Sequence, residues 1–203
     1  SAINEPEIAL MELKRCVELD PGDVDTIIQI GKHEQSKDLN LVAIKTFTTA
    51  ITADPGCAAA YMGRGISLGK LLRDDEAVRE LCQAIHLDPT GAEAFFHRGS
   101  LLRTLAPKRS LVDLSISLLL DSSETNLHAF VHRGMLYLET KRYEEALTDF
   151  EHALELDARI RRTQYDVPAP VSKVAVLAFC QMGYIHVHHT KNYMAAIRSY
   201  GEA

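Results

Sequence analysis

Residues 58–91 read AAAYMGRGISLGKLLRDDEAVRELCQAIHLDPTG, and their spacing decides the fold. Tyr61, Gly65 and Leu68 step by four and then three, which sets them on one face of a helix. Leu71 to Asp75 supplies a turn, and Ala77, Leu81, Ala84 and Ile85 make a second helical face. Asp88-Pro89 ends that second helix, because proline has no amide hydrogen to donate and disfavours helical geometry in the residue before it. The stretch therefore predicts two antiparallel helices joined by a short turn.

The same punctuation recurs along the chain. Asp20-Pro21, Asp54-Pro55 and Asp88-Pro89 lie 34 residues apart, and Asp121-Ser122 and Asp157-Ala158 follow at 33 and 36. Small residues keep the step: Cys16, Ala50, Ala84, Ser117 and Ala153 in one series, Ala9, Ala43, Ala77, Ser110 and Ala146 in another. Gly31, Gly65, Gly99 and Gly134 form a third, spaced 34, 34 and 35. With no bulky side chain at Gly65 and Ala77 the paired helices can approach closely, and Ala84 admits the first helix of the next unit. A fixed period of this length is the signature of a solenoid, in which each unit buries its apolar face only against its neighbours.

Composition narrows the class. The 203 residues include 22 Lys plus Arg against 28 Asp plus Glu, a formal charge of −6, with 46% hydrophobic and 25% charged residues, as in an ordinary globular chain. The acidic balance argues against nucleic acid as partner, since a phosphate binder carries a basic face. Trp is absent and aromatics are 6%, which leaves few platforms for stacking bases. The longest apolar runs, Leu114 to Leu120 and Val174 to Phe179, fall far short of the roughly 18 residues of a bilayer span, so no membrane association is expected. Ser1-Ala2-Ile3-Asn4-Glu5 lacks the pattern of a secretory signal. Cys16, Cys57, Cys82 and Cys180 lie far apart and read as free, mostly buried thiols, which points to a cytoplasmic, reducing setting.

These residues resemble the tetratricopeptide repeat family, whose 34-residue unit has Gly at its eighth position, Ala at its twentieth and twenty-seventh, and Pro at its thirty-second. The resemblance covers nearly the whole chain: a lone second helix at 5–21, full units at 24–57, 58–91, 92–126 and 127–158, an irregular insertion at 159–172 and an incomplete unit at 173–203. It implies an all-α, right-handed superhelical solenoid of antiparallel helix pairs. Departures are local. One residue is missing around Ala106-Pro107-Lys108, Ser110 and Ser117 replace alanines, and one extra residue lies between Gly183 and Ala196. Beyond Asp157 no proline stops the helix; Arg159, Arg161 and Arg162 precede the break at Pro168-Ala169-Pro170, and the stretch reads as an elongated helix with a solvated loop, the alternative being a basic contact site. Both ends fall inside a unit, so the stretch is expected to belong to a longer array or to self-associate through its open ends.

The resemblance also implies where a partner binds: a concave surface lined by the first helix of each unit, with side chains three and four apart along one stripe, down to the twelfth or thirteenth position. The fifth positions are Ile28, Met62, Phe96 and Val131, the sixth include Gln29, Gly63, His97 and His132, and the ninth are Lys32, Ile66, Ser100 and Met135. Gln29, His97, His132 and Gln181 can hydrogen-bond an extended main chain, and Met62, Phe96 and Val131 can receive apolar side chains. Relatives that clamp a chaperone's terminal carboxylate carry Lys and Asn here; no unit has that Asn, and Lys32 alone makes no two-point site. The Asn ladder of glycosyltransferase-linked arrays is absent as well.

Arg64, Arg98 and Arg133 directly precede the glycines and read as structural ion pairs, with Asp54, Asp88 and Asp121 as candidate partners across the turn. His186, His188 and His189 are the densest histidine cluster, but zinc wants three or four converging ligands, so solvated helix-end histidines are the simpler reading and no metal or cofactor is expected. No nucleophile elbow, phosphate-cradling loop or H-E-x-x-H occurs. The expected function is a non-catalytic scaffold for a protein or peptide. The alternatives are a recruiting domain of a larger enzyme and a self-association module.

Overall fold

A computed structural model describes residues 5–20, 22–121, 126–164 and 171–203. Among these the chain is all-helical, with eleven helices packed in consecutive pairs: α1 (Glu5–Leu19), α2 (Val24–Ser36), α3 (Asn40–Ala53), α4 (Ala58–Lys70), α5 (Asp74–Leu87), α6 (Ala92–Leu105), α7 (Pro107–Leu120), α8 (Leu127–Glu139), α9 (Tyr143–Gln164), α10 (Lys173–His188) and α11 (Tyr193–Glu202). The contacts divide the chain into two compact units, one up to Leu101 and one from Leu102.

In the first unit α1 packs on α2, and α2/α3 and α4/α5 form hairpins. Asp23 caps α2 by accepting from the Thr26 amide at 3.1 Å, which satisfies one of the orphan amides of the first turn. The core holds Ile27, Ile28, Ala43, Phe47, Ala50 and Ala60. Phe47 is fully buried and lies between two glycines: a Cβ on Gly31 would stand 2.7 Å from its ring edge, and one on Gly63 would overlap the ring from the next hairpin. Ala43, Ala50, Ala77 and Ala84 are buried to within 1%. Gly65 faces the Ala77 carbonyl and Leu81 across the α4/α5 hairpin.

The second unit repeats the plan with α8/α9 and α10/α11, around Val131, Ala146, Phe150, Ala153, Ala178, Met182 and Ile185. Gly134 seats Phe150 as Gly31 seats Phe47, and Gly183 faces the ring of Tyr200. Ser110 and Ser117, standing where the other hairpins have alanine, are fully buried.

Helix ends follow the punctuation. α3, α5 and α7 all stop at an extended aspartate, Asp54, Asp88 and Asp121, with φ between −132° and −136°. Asp157 has no proline after it, and α9 runs on to Gln164 with Asp157 buried and paired to Arg161 Nε at 2.8 Å. Residues 159–164 of the expected irregular insertion are thus helical, and Pro168-Ala169-Pro170 lie outside the described residues.

The turns between paired helices place Asp38, Leu72, Lys141 and Lys191 in the left-handed region, with φ of 53° to 62°. The amide after Leu72, that of Arg73, returns to the Leu68 carbonyl at 3.0 Å, and that after Lys141, that of Arg142, to Tyr137 at 2.8 Å, which satisfies carbonyls left over at the helix end. The hairpin with one residue missing lacks this left-handed residue. Ala106 is extended at φ −145°, and Pro107 opens α7 in the first turn, where its absent amide hydrogen costs nothing.

Candidate partner-binding faces

First helices lie beside one another within each unit, α2 with α4 and α8 with α10. The clamp between α2 and α4 is Gln35, whose Nε2 donates to the Gly63 carbonyl at 2.8 Å and to Ser67 Oγ at 2.9 Å. Of the expected partner-binding residues on these helices, Gln29 and Lys32 are exposed, and Met62, Ile66, Phe96, His97 and Ser100 are half-buried. In the second unit His132, Met135 and Gln181 are half-buried, and Met135 packs on the core cluster.

Two residues of the expected groove are core instead. Ile28 is 5% exposed and Val131 2%, and they lie in the same buried clusters as Ala60 of α4 and Ala178 of α10. The fifth position sits where the next first helix arrives. A short β-branched side chain there is enclosed, whereas Met62 and Phe96 reach past the junction.

A cleft of about 300 Å³ opens in the first unit between α4 and α6, lined by Ile66, Gly69, Lys70, His97, Ser100 and Leu101. It brings together three residues of the sequence-derived stripe, Ile66, His97 and Ser100. Gly69 and Lys70 occupy the twelfth and thirteenth positions of the same stripe; Leu101 had no signal in that register. Lys70 Nζ lies 3.4 Å from Asp38 Oδ1 and 3.3 Å from the Gln35 carbonyl. His97 Nε2 lies 3.7 Å from Glu93 Oε1, and the neighbouring imidazole, with the charge of Lys32 adding to it, holds the Glu93 carboxyl below its ordinary pKa. Ser100 Oγ is buried without a protein hydrogen-bond partner at the cleft wall. The cleft thus combines an apolar floor with an ammonium, an imidazole and a hydroxyl.

The arginines before the glycines are structural, but their partners differ from those expected. Arg64 donates from Nε and Nη2 to Glu80 at 2.9 and 2.6 Å, and Arg133 makes a bidentate pair with Asp149 at 2.8 and 2.7 Å. Both carboxylates stand sixteen residues downstream, on the second helix of the same hairpin. Arg98 donates to Cys82 Sγ at 3.4 Å. Each guanidinium also covers an aromatic ring three residues earlier, Tyr61, Phe95 or Phe130. Asp54 and Asp88 turn to local amides instead, accepting from Gly56 N at 2.8 Å and Thr90 N at 3.0 Å, because each is the residue that ends its helix.

The histidine cluster is occupied by ordinary contacts: His189 stacks on Tyr143 at 3.9 Å, His188 lies against Tyr184, and His186 Nδ1 meets Thr190 Oγ1 at 3.2 Å. The four cysteines are free, but less buried than expected, with Cys16 exposed and the others half-buried. No helix among the described residues is long and apolar enough to cross a membrane.

Comparison with known proteins assigns the architecture. The Tetratricopeptide repeat profile matches residues 128–159, which cover α8 from its second residue and α9 as far as Arg159. The chain is a tetratricopeptide-repeat protein. Tetratricopeptide repeat protein 13 of Homo sapiens is 33% identical over 121 residues, 57% of this chain and 14% of that protein. The DnaJ homolog subfamily C member 7 homolog of Schizosaccharomyces pombe (strain 972 / ATCC 24843) is 28% identical over 157 residues, 69% of this chain and 33% of that protein. The tetratricopeptide chain described here therefore spans a minor part of these relatives. Among solved structures, that of YrrB, described as a TPR protein with an unusual peptide-binding site, superposes with a TM-score of 0.66 at 20% identity over 94% of this chain and 89% of that one. Tetratricopeptide arrays are generally protein-interaction modules and typically non-catalytic.

Proposed function

We propose that this array is a non-catalytic scaffold that holds an extended or helical segment of another protein along its first-helix faces. The cleft between α4 and α6 carries the reading: Ile66 and Leu101 offer an apolar floor, while Lys70 and His97 offer donors that fix a main chain or a carboxylate. Gln29 and Lys32 extend the polar edge along α2, and Met62 and Phe96 add apolar reach. On the second unit His132, Met135 and Gln181 are the corresponding residues. YrrB, with its peptide-binding site, lends support through the shared fold. Free thiols throughout suit a reducing compartment.

The test is selection from a random displayed-peptide library on the wild-type chain. Selected peptides are expected to lose at least about tenfold in affinity for an Ile66→Glu/His97→Ala variant that keeps its helical circular dichroism. Equal affinity for both chains would reject this face as the binding site.

A further inference from the structure

Several first-helix glycines of this chain are seats for aromatic rings: a Cβ added at Gly31 or Gly63 would run into Phe47, at Gly134 into Phe150 and at Gly183 into Tyr200. Gly69, in the last turn of α4, differs. A Cβ there would have the Leu101 side chain as its nearest neighbour, with Cδ2 at 3.1 Å, and the space beside that contact is the cleft of about 300 Å³. The backbone does not call for glycine at this point, since no glycine among the described residues has a positive φ, and within a helix glycine is less favourable than alanine.

Gly69 is the twelfth residue of its unit, and in the other units that residue reaches across to the following first helix. Gln35 donates to the Gly63 carbonyl and to Ser67 Oγ of α4 at 2.8 and 2.9 Å, Arg103 donates to Glu139 of α8 at 2.9 Å, and Leu138 packs on the cluster that holds Ala178 and Met182 of α10. Between α4 and α6 the bridging side chain is left out. The residue opposite is changed as well: Leu101 stands at the tenth position, where Ser67 answers Gln35. A side chain that completes this gap therefore meets Leu101 and Ile66, and must be apolar. The charges in the wall are matched within the chain, Lys70 by Asp38 at 3.4 Å and His97 by Glu93 at 3.7 Å, so the occupant is chosen by shape rather than by sign. The volume is about twice the roughly 150 Å³ of an apolar cavity that takes up benzene, enough for a ring laid on the bare Cα of Gly69 as Phe47 is laid against Gly31 and Gly63.

We infer that Gly69 is the specificity-determining residue of the first-helix face: an aromatic side chain of the bound protein segment enters between Ile66 and Leu101 and rests on it. The inference depends on the reading above that this cleft takes a protein segment, and it adds which side chain the segment must carry.

The test takes synthetic copies of the peptides that a random displayed library yields on the wild-type chain, and reads their binding to the whole chain by fluorescence anisotropy. The peptides are expected to share an aromatic residue at one position, and exchanging it for leucine is expected to weaken binding to the wild type at least about fivefold. On a Gly69→Gln variant, which places a copy of the Gln35 side chain in the gap, the aromatic peptide is expected to lose at least about tenfold and the same exchange to matter less than about twofold, the mark of two groups that touch. The nearest neighbour of the new side chain is the flexible tip of Leu101. Unchanged circular dichroism confirms the fold, and Gly69→Ala, which adds a single methyl, repeats the measurement. Peptides that require Ile66 and His97 but share no aromatic residue, or whose ring is worth as much on Gly69→Gln as on the wild type, overturn the inference and leave the binding face in place. Peptides indifferent to Ile66→Glu/His97→Ala, or a library that yields none, overturn both. Sedimentation showing self-association that Gly69→Gln abolishes would make a second copy the occupant, and the inference would fall.

Discussion

Substituting alanine for Gly63 tests how neighbouring hairpins are joined. On an isolated helix the change is favourable, because alanine is better than glycine in a helix interior by about 1 kcal/mol. In this chain the new methyl would overlap the ring of Phe47, with the ring's Cε2 at 2.8 Å. The ring has nowhere to retreat, since Gly31 stands against its other side and Phe47 is fully buried. Overpacking of this kind costs about 1–3 kcal/mol, and with the ring pinned from both sides the upper half of that range applies. Less the propensity gain, the net loss is about 1–2 kcal/mol, which for a chain of this size lowers the melting temperature by about 2–8 °C. The assay is thermal unfolding by far-ultraviolet circular dichroism, with Gly201→Ala as control, because a Cβ there meets nothing within 4 Å. A Phe47→Leu/Gly63→Ala double variant is expected to lose less than the two single changes combined, since the smaller side chain vacates the space the methyl needs. A Gly63→Ala protein as stable as the wild type would refute the wedge.

Arg133→Ala strips the partner from Asp149, whose side chain is 4% exposed, and is expected to cost about 2–4 kcal/mol in urea titration, whereas Arg73→Ala, which breaks the exposed pair with Glu76, is expected to leave the urea midpoint unchanged. Similar costs for the two would contradict the structural role assigned to the glycine-adjacent arginines. Leu72→Gly is expected to raise stability by about 0.5–1 kcal/mol, because Leu72 is 86% exposed and holds φ 60°, a conformation that glycine adopts without strain; a drop in the melting temperature would show that its side chain matters. Carbon-13 titration should find the Asp23 and Asp88 carboxyls below the ordinary aspartate value, lowered chiefly by side-chain hydrogen bonds from Thr26 and Thr90. A depressed folded pKa stabilises the fold above the unfolded value of about 3.9, and the contribution fades as pH falls through the folded pKa; titration at or above 3.9 would remove both caps from the account.

The helices and their pairing were legible because a solenoid writes its packing into local spacing: Gly31, Ala43 and Ala50 are small for reasons that act within one hairpin and its neighbour. The partner faces were less legible, because exposure depends on how far a side chain reaches past the next helix. Ile28 and Met62 share a repeat position, yet the first is enclosed and the second emerges. The arginine pairs were misread for a related cause. Asp54 and Asp88 attract attention by recurring beside proline, but each is bound to its own turn, while Glu80 and Asp149 sit at a separation that only the hairpin geometry makes short. The exposed Val112 and Leu119 of α7 had no signal of their own, because exposure on a second helix is readable only once its inward register, set by Ser110 and Ser117, is settled.

The overrun of α9 has a mechanical corollary. Its sister helices end just before their aspartates, whereas here the rod continues for residues 157–164 and carries the backbone about 12 Å further along the same axis. That projection is a stub with packed flanks at its root and solvent around Arg162 and Thr163 at its tip. Arg162 and Thr163 therefore offer attachment points for a fluorophore or an affinity handle beyond the packed root, whereas a proline placed at residue 158 would both end the rod and unseat Ile160 from the core.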